Sequence, residues 1–200
     1  MLNHEEFIQK YTKLQYLSFV PEIRLFTNKE KTMHDMLKQE LGNNTARPYW
    51  TQSWAGGLAL SRYVINNPDT VKDKHVIDFC SGSGIVGIAA AMSGAARVTC
   101  VDTDTIALSS SLLNAKANKA NIDVSETVIE GDILLAGDPE VKADVFDIIK
   151  NTGSYIGCPT RNKSYLDEFD TVTSYVIGNE EFQNSITYIL SSAHLRPRGS

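Results

Sequence analysis

From residue 75 onward, short apolar runs alternate with longer segments of helical period. "HVIDF" is five residues long and β-branched in part, so it reads as a strand, and the small apolar stretch 84–93, "GIVGIAAAMS", reads as a helix. "RVTCVD" is the next strand, and Asp104 is placed to cap a helix running to about residue 120. "SETVIEG", "DVFDII" and "GSYIGC" follow as strands rich in β-branched residues, with a short helix predicted over 164–169. "TVTSYVI" and "SITYIL" close the series, separated only by the turn-like "GNEEFQN". Strands alternating with helices predict an α/β fold with a parallel sheet covered on both faces. The short link between the last two strands predicts an antiparallel pair at one edge.

Upstream, the pattern reads as a helix, the extended stretch "FVPEIRLF", and a second helix capped by Thr32 and ended by Gly42. After "ARPYW", the segment "SWAGGLALSRYVINNPD" reads as a helix stopped before Pro68. The chain therefore divides into a helical and extended lid region at 1–46, a ligand-binding domain at 47–192 and a disordered tail at 193–200. Two hundred residues suffice for one such domain with a sizeable core.

Charge and composition narrow the chemistry. A net charge of −5 argues against a nucleic-acid partner, which calls for a basic face. Cys80, Cys100 and Cys158 are odd in number and widely spaced, so they form neither a disulfide framework nor a zinc pattern. His4, His34, His75 and His194 are scattered, and no metal site is expected. The longest apolar run, 85–92, is far shorter than a membrane span.

The chemical signal is the glycine loop in "HVIDFCSGSGIVG". Gly82, Gly84 and Gly87 satisfy G-x-G-x-x-G, follow a strand and open a helix, while Asp102 ends the next strand where a ribose-binding acid belongs. A dinucleotide is therefore a real rival ligand. Asp78 ends the first strand, and its carboxylate is expected beside the loop. A pyrophosphate there would meet a like charge at a cost of roughly 1–4 kcal/mol. S-adenosylmethionine carries an ammonium and a sulfonium, which the same carboxylate attracts. Gly87 alone reads more simply as close helix–sheet packing.

"VIDFCSGSG" followed by "VDTD" resembles the first motifs of class I S-adenosylmethionine-dependent methyltransferases. More narrowly, "FVPEIRLF", "PYWTQSWAGGLALSRYV", "DFCSGSGIVGIAAAMSGAARV" and "TDTIALSSSLLNAKAN" resemble the lysine methyltransferases of the electron-transfer-flavoprotein β-subunit and their bacterial relatives. The resemblance implies a Rossmann-like sheet of seven strands, mostly parallel with an antiparallel last strand. It implies S-adenosylmethionine as cofactor and a protein lysine ε-amine as methyl acceptor, the flavoprotein β-subunit being one such partner. Asp102 would hold both ribose hydroxyls, and Asp132 in "IEGDIL" would meet the adenine amino group. Trp50 and Trp54 would wall the methionine end by cation–π contact, although large aromatics beside a helix start are more often core. Ser81 lies in the loop, and Cys80 stands where a glycine is common. The resemblance implies a cytoplasmic location, or the mitochondrial matrix, since animal relatives are mitochondrial; the N-terminus shows no Arg-rich presequence. It identifies no catalytic residue.

Two alignments compete further on. Relatives carry Asp-x-x-Tyr just after the fourth strand, then a crossover helix. With "DVFDII" as the fourth strand, about three residues lead to the next strand and the crossover is missing, along with the acceptor-side motif. With "LLAGD", 134–138, as the fourth strand, Asp138 matches the family's Asp and Val141 stands in place of Tyr, but the preceding connection becomes short. The first is preferred on spacing, and it carries the alternative of a shortened, catalytically impaired cofactor-binding protein. A small amine as acceptor is a further alternative. Cys158 stands where relatives tend to have Asp.

Overall fold

The first element along the chain begins with a reciprocal cap. In α1 (His4–Tyr11) the Asn3 side chain accepts the Glu6 N–H, and the Glu6 carboxylate accepts the Asn3 N–H, both at 2.9 Å. A hairpin of β1 (Lys13–Tyr16) and β2 (Arg24–Thr27) follows, then α2 (Met33–Leu41). Of "FVPEIRLF" only Arg24, Leu25 and Phe26 are strand; the Ile23 N–H closes a turn onto the Val20 carbonyl at 3.0 Å. Gly42 ends α2 at φ +105°, but Thr32 does not cap it with its side chain. The Thr32 backbone carbonyl instead takes the N–H groups of Asp35 and Met36. In this computed structural model the described residues are 2–28, 32–42, 45–137, 154–157, 170–177 and 185–191.

Helix α3 (Ala55–Asn66) stops before Pro68 as its sequence predicts. Beyond it lie β3 (His75–Phe79), α4 (Ile85–Met92), β4 (Arg97–Val101), α5 (Thr105–Ala117), β5 (Asp123–Ser125), β6 (Ile133–Ala136), β7 (Tyr155–Gly157), β8 (Asp170–Ile177) and β9 (Ser185–Ser191). The seven strands β3 to β9 form one sheet in the order β5-β4-β3-β6-β7-β9-β8. The first five run parallel, and β9 is antiparallel to both β7 and β8. This is the Rossmann-like α/β sheet the sequence predicts, with its antiparallel edge pair. The side chain of Asp104 accepts the Ile106 N–H at 2.9 Å and starts α5, which ends at Ala117.

The fourth parallel strand is Ile133–Ala136, registered on β3 through Val76↔Ile133 and Asp78↔Leu135. The structure thus takes the second of the two alignments. "DVFDII" lies outside the described residues, as does the helix expected at 164–169. The eighteen residues 137–154 separate β6 from its parallel neighbour β7, enough for a crossover of the usual size. The shortening falls instead between β5 and β6, where residues 126–132 form no helix. They must pass β4 and β3, a diagonal of roughly 20 Å from strand spacings of about 4.8 Å and a rise of about 3.3 Å per residue. Seven extended residues span roughly 24 Å, so the link is possible only if nearly straight. It lies flat on the sheet: a Cβ on Gly131 would stand 2.6 Å from Cγ1 of Ile77 and 3.1 Å from the His75 carbonyl oxygen.

Helices α3, α4 and α5 pack side by side against the sheet. Their core runs through Leu60, Ile88, Val76 and Leu135, all fully buried. A second core joins the N-terminal region to α5 through Phe7, Ile8, Leu37, Trp50 and Ile106. Beside it, Asn114 of α5 and Asn118 at the C-cap of that helix act as a surrogate strand for β2. Asn114 Oδ1 accepts the Phe26 N–H at 2.8 Å and Asn118 Oδ1 accepts the Arg24 N–H at 2.9 Å. Asn118 Nδ2 returns a bond to the Arg24 carbonyl at 2.6 Å.

Asn114 is fully buried and also donates to the Ser83 carbonyl at 2.9 Å. Asn114→Ala leaves both the Phe26 N–H and that carbonyl without their partners, at about 1–3 kcal/mol for each buried group. We expect urea unfolding to show a loss of about 2–6 kcal/mol for this variant, and a smaller one for Asn118→Ala, whose site is only half-buried.

Candidate cofactor site

At the carboxyl end of β3 the chain makes three left-handed residues in five: Cys80 at φ +55°, Gly82 at +52° and Gly84 at +75°. The loop closes on itself through the Gly84 N–H to the Ser81 carbonyl at 2.7 Å, and is tied to β4 by the Ser81 N–H to the Val101 carbonyl at 3.0 Å. A Cβ on Gly84 would lie 2.9 Å from Cβ and Oγ of Ser111, so glycine there answers both conformation and space. From α5, Ser111 Oγ donates to the Gly82 carbonyl at 3.1 Å, beside the Asn114 bond to Ser83. Neither residue stood out in the sequence. The available signal was two buried polar residues three apart in "SSLLNAKAN", which puts them on one helix face.

Asp102 sits at the loop. Its Oδ2 accepts the Gly82 N–H at 2.9 Å and its Oδ1 accepts the Asp104 N–H at 3.0 Å. Each carboxylate oxygen retains a further lone pair, so two sugar hydroxyls can still be accepted. Asp78 is placed differently from the expected flank of the ligand. It is 1% exposed and turned under α4, where Oδ2 accepts the Gly87 N–H at 2.8 Å and faces Cys100 Sγ at 3.7 Å. Burial pushes its carboxyl up to about 7. A Cβ on Gly87 would stand 2.5 Å from that sulfur and 3.2 Å from Asp78 Oδ2, so Gly87 is the packing residue its sequence suggests. Burial, with the charges of Asp102 and Asp78, pushes the Cys80 thiol up to about 12.

The two tryptophans part company. The Trp50 ring lies in the second core, 1% exposed, while its Cα is the neighbour a Cβ on Gly82 would meet at 3.8 Å. Its backbone thus roofs the loop while its ring packs as core. Trp54 stands at the rim before α3, edge-on to the exposed ring of Tyr49 with centroids 5.9 Å apart and Nε1 donating to the Tyr49 carbonyl. Asp132 is at the wrong end of the sheet for the adenine role. Its Oδ2 accepts the His75 N–H at 2.7 Å and its own N–H reaches the His75 carbonyl at 2.9 Å, at the amino end of β3. It precedes β6 instead of following a strand, because the fourth strand is 133–136.

The fit to an adenosyl ligand rests on what the loop leaves open: backbone free of Cβ atoms at Gly82 and Gly84, the carboxylate of Asp102 beside it, and a polar atom without a protein partner. The Ser81 hydroxyl, within the loop, is sealed from solvent and finds no hydrogen-bond partner among the described residues. Among those residues no cluster of His, Cys, Asp and Glu could hold a metal ion, and no helix is long and apolar enough to cross a membrane.

Comparison with known proteins agrees with this geometry. The ribosomal protein L11 methyltransferase (PrmA) family matches residues 59–151. The fold is that of the Pyrococcus abyssi tRNA (uracil-54, C5)-methyltransferase bound to S-adenosyl-L-homocysteine, with a TM-score of 0.54 at 14% identity over 74% of this chain and 40% of that one. A T. thermophilus 16S rRNA N2 methyltransferase gives 0.53 at 16% identity, over 70% of this chain and 43% of its own. The chain thus shares the fold of these methyltransferases, solved with S-adenosyl-L-homocysteine and with AdoMet. Within it, the chain resembles the electron transfer flavoprotein beta subunit lysine methyltransferases. It is 50% identical to the Homo sapiens protein over 74 residues, 37% of this chain and 28% of that one. The Xenopus laevis protein is 37% identical over 112 residues, 56% of this chain and 45% of its own. The matched stretches span less than half of these relatives.

Asp78 sets a pH dependence. Its unfolded carboxyl ionises near 4 and its buried one near 7, so between those values the unfolded state binds fewer protons. The stability contributed at this site falls as pH rises from about 4 to about 7 and is level above. Asp78→Asn keeps an oxygen for the Gly87 N–H and removes the titration. The difference in urea midpoint between variant and wild type is expected to grow across that window in the variant's favour.

Proposed function

We propose that this protein transfers a methyl group from S-adenosylmethionine to the ε-amine of a lysine in a protein substrate, of the electron-transfer-flavoprotein β-subunit type. The observation that carries the reading is the loop itself: left-handed Gly82 and Gly84, with Asp102 tied to the Gly82 N–H at 2.9 Å. The lysine assignment leans on the human and frog relatives, whose names specify that acceptor. When bound, the cofactor supplies a methyl carbon activated by a sulfonium leaving group.

The rest falls to the chain. Asp102 fixes the sugar, and the bare loop backbone lets the ligand lie close. An amine must attack in line with the departing sulfur, so orientation and exclusion of water are the main contributions. Lysine arrives as ammonium and must lose a proton before its lone pair can attack; a dry pocket eases that loss. The position of β6 supports the alignment in which Asp138 matches the family's acceptor-side Asp, one residue after Gly137. Gly137 presses on α3, where its Cβ would meet Gly57 Cα at 2.8 Å. On this reading the acceptor half of the site keeps its acid and lacks the family's Tyr, with Val141 in its place.

Two measurements test this. Calorimetry should show S-adenosylhomocysteine binding to wild type, weakened about 10–100-fold in Asp102→Asn through loss of charge-assisted bonds of about 1.5–3 kcal/mol; absence of binding by a cooperatively folding sample defeats the proposal. With labelled donor and a lysate rich in flavoproteins, Asp138→Asn should lower transfer at least about 100-fold while leaving that affinity unchanged. Equal transfer by wild type and variant removes Asp138 from the reaction.

A further inference from the structure

Trp50 and Thr51 are buried, but Tyr49 just before them is 56% exposed. Its backbone is fixed all the same. The Tyr49 N–H donates to the Arg47 carbonyl at 2.7 Å, and its own carbonyl accepts the Gln52 N–H at 3.3 Å and the Trp54 Nε1–H at 3.0 Å. The ring stands edge-on to that of Trp54 at an interplanar angle of 62°. One exposed ring is ordinary on a protein surface; its place gives this one meaning. Residues 49–54 run over the mouth of the site. At Trp50 they roof Gly82, and at Trp54 they become the N-cap of α3. One turn into that helix, Gly57 packs on Gly137 at the carboxyl end of β6. The ring pair therefore lies on the β6 side of the glycine loop. Since β4 and β6 flank β3 on opposite sides, a ligand with its sugar on Asp102 directs its far end toward β6.

We infer that Tyr49 is a specificity-determining contact for the methyl acceptor, its ring lying along the apolar stem of the incoming lysine, and that Trp54 positions it. The assignment rests on the proposed transfer to a lysine ε-amine. A lysine reaching a methyl group inside the mouth lays its four-carbon stem along the rim, and an aromatic face there gives that stem apolar contact. The same face attracts the side chain as it arrives in its ammonium form. Trp54 touches both the tyrosine ring and the tyrosine carbonyl, so it acts through Tyr49 by holding the direction of the ring. Because the Tyr49 backbone is already anchored, little freedom is lost when the acceptor docks.

Steady-state transfer from labelled S-adenosylmethionine to purified electron transfer flavoprotein β-subunit tests the assignment, alongside calorimetry with S-adenosylhomocysteine. Tyr49→Ala should raise the KM for the acceptor about ten-fold with a far smaller change in kcat, as loss of an acceptor-binding contact requires. Its affinity for S-adenosylhomocysteine and its unfolding midpoint should not move. Tyr49→Phe, which keeps the ring, should stay within about two-fold of wild type. Trp54→Phe should raise the acceptor KM less than Tyr49→Ala does, and the double variant should match Tyr49→Ala alone. An acceptor KM unchanged in Tyr49→Ala overturns the assignment. So does weakened S-adenosylhomocysteine binding in that variant, which would make the ring a wall of the cofactor site. Additive effects in the double variant overturn the positioning role of Trp54. If wild type binds S-adenosylhomocysteine but transfers nothing to this acceptor, the lysine reading fails and the assignment fails with it.

Discussion

The site depends on how closely α4 approaches the sheet. At Gly87 the helix backbone comes near enough to donate to a carboxylate rising from β3, and a single methyl group would collide with Cys100. That contact fixes the start of α4. The start of α4 in turn fixes the left-handed turns at Gly82 and Gly84, which leave the backbone bare for a ligand. A buried carboxylate is costly, and Asp78 is held near neutrality by the same burial. Its place under the helix explains why an acid is tolerated in the centre of the sheet. It has a donor that only a glycine allows so close.

From that anchor the structure builds outward in two directions. On one side Asp102 and the Asp104 cap bind the end of β4 to the loop and to α5. On the other, α3 crosses against Gly137 at the end of β6, so both openings of the site are framed by close backbone contacts. The N-terminal region is then held by hydrogen bonds from α5 and by the Trp50 core. These attachments are specific in a way that hydrophobic packing alone is not, because each asparagine satisfies backbone groups in fixed register.

Much of this was legible in the sequence. The strand–loop–helix unit at 75–93, the Asp104 cap and the antiparallel last pair follow from periodicity, glycine placement and loop length. Asp132 did not, because "GDIL" and "VFDII" are both plausible strands and only the pairing partner separates them: Val76 selects Ile133. Trp50 was ambiguous for a similar reason, since its type suits a ligand wall or a core equally and its environment comes from residues far off in the chain, Phe7 and Leu37 among them. Ser111 and Asn114 were silent because small polar residues inside a helix look like surface until the partner backbone is known. Asp78 shows a subtler limit: its position beside the loop was readable, its direction was not.

The Asn114 bridge also bears on how the molecule assembles. Its partners lie at sequence separations of 88 and 31, so the bond cannot form until the N-terminal hairpin, the glycine loop and α5 have all reached one place. Contacts of such separation are entropically late. Hairpin docking should therefore follow formation of the βαβ unit. A chain emerging amino end first would hold its opening segment unattached until α5 is made, with the apolar faces of α1 and α2 waiting for a helix that begins only at Thr105.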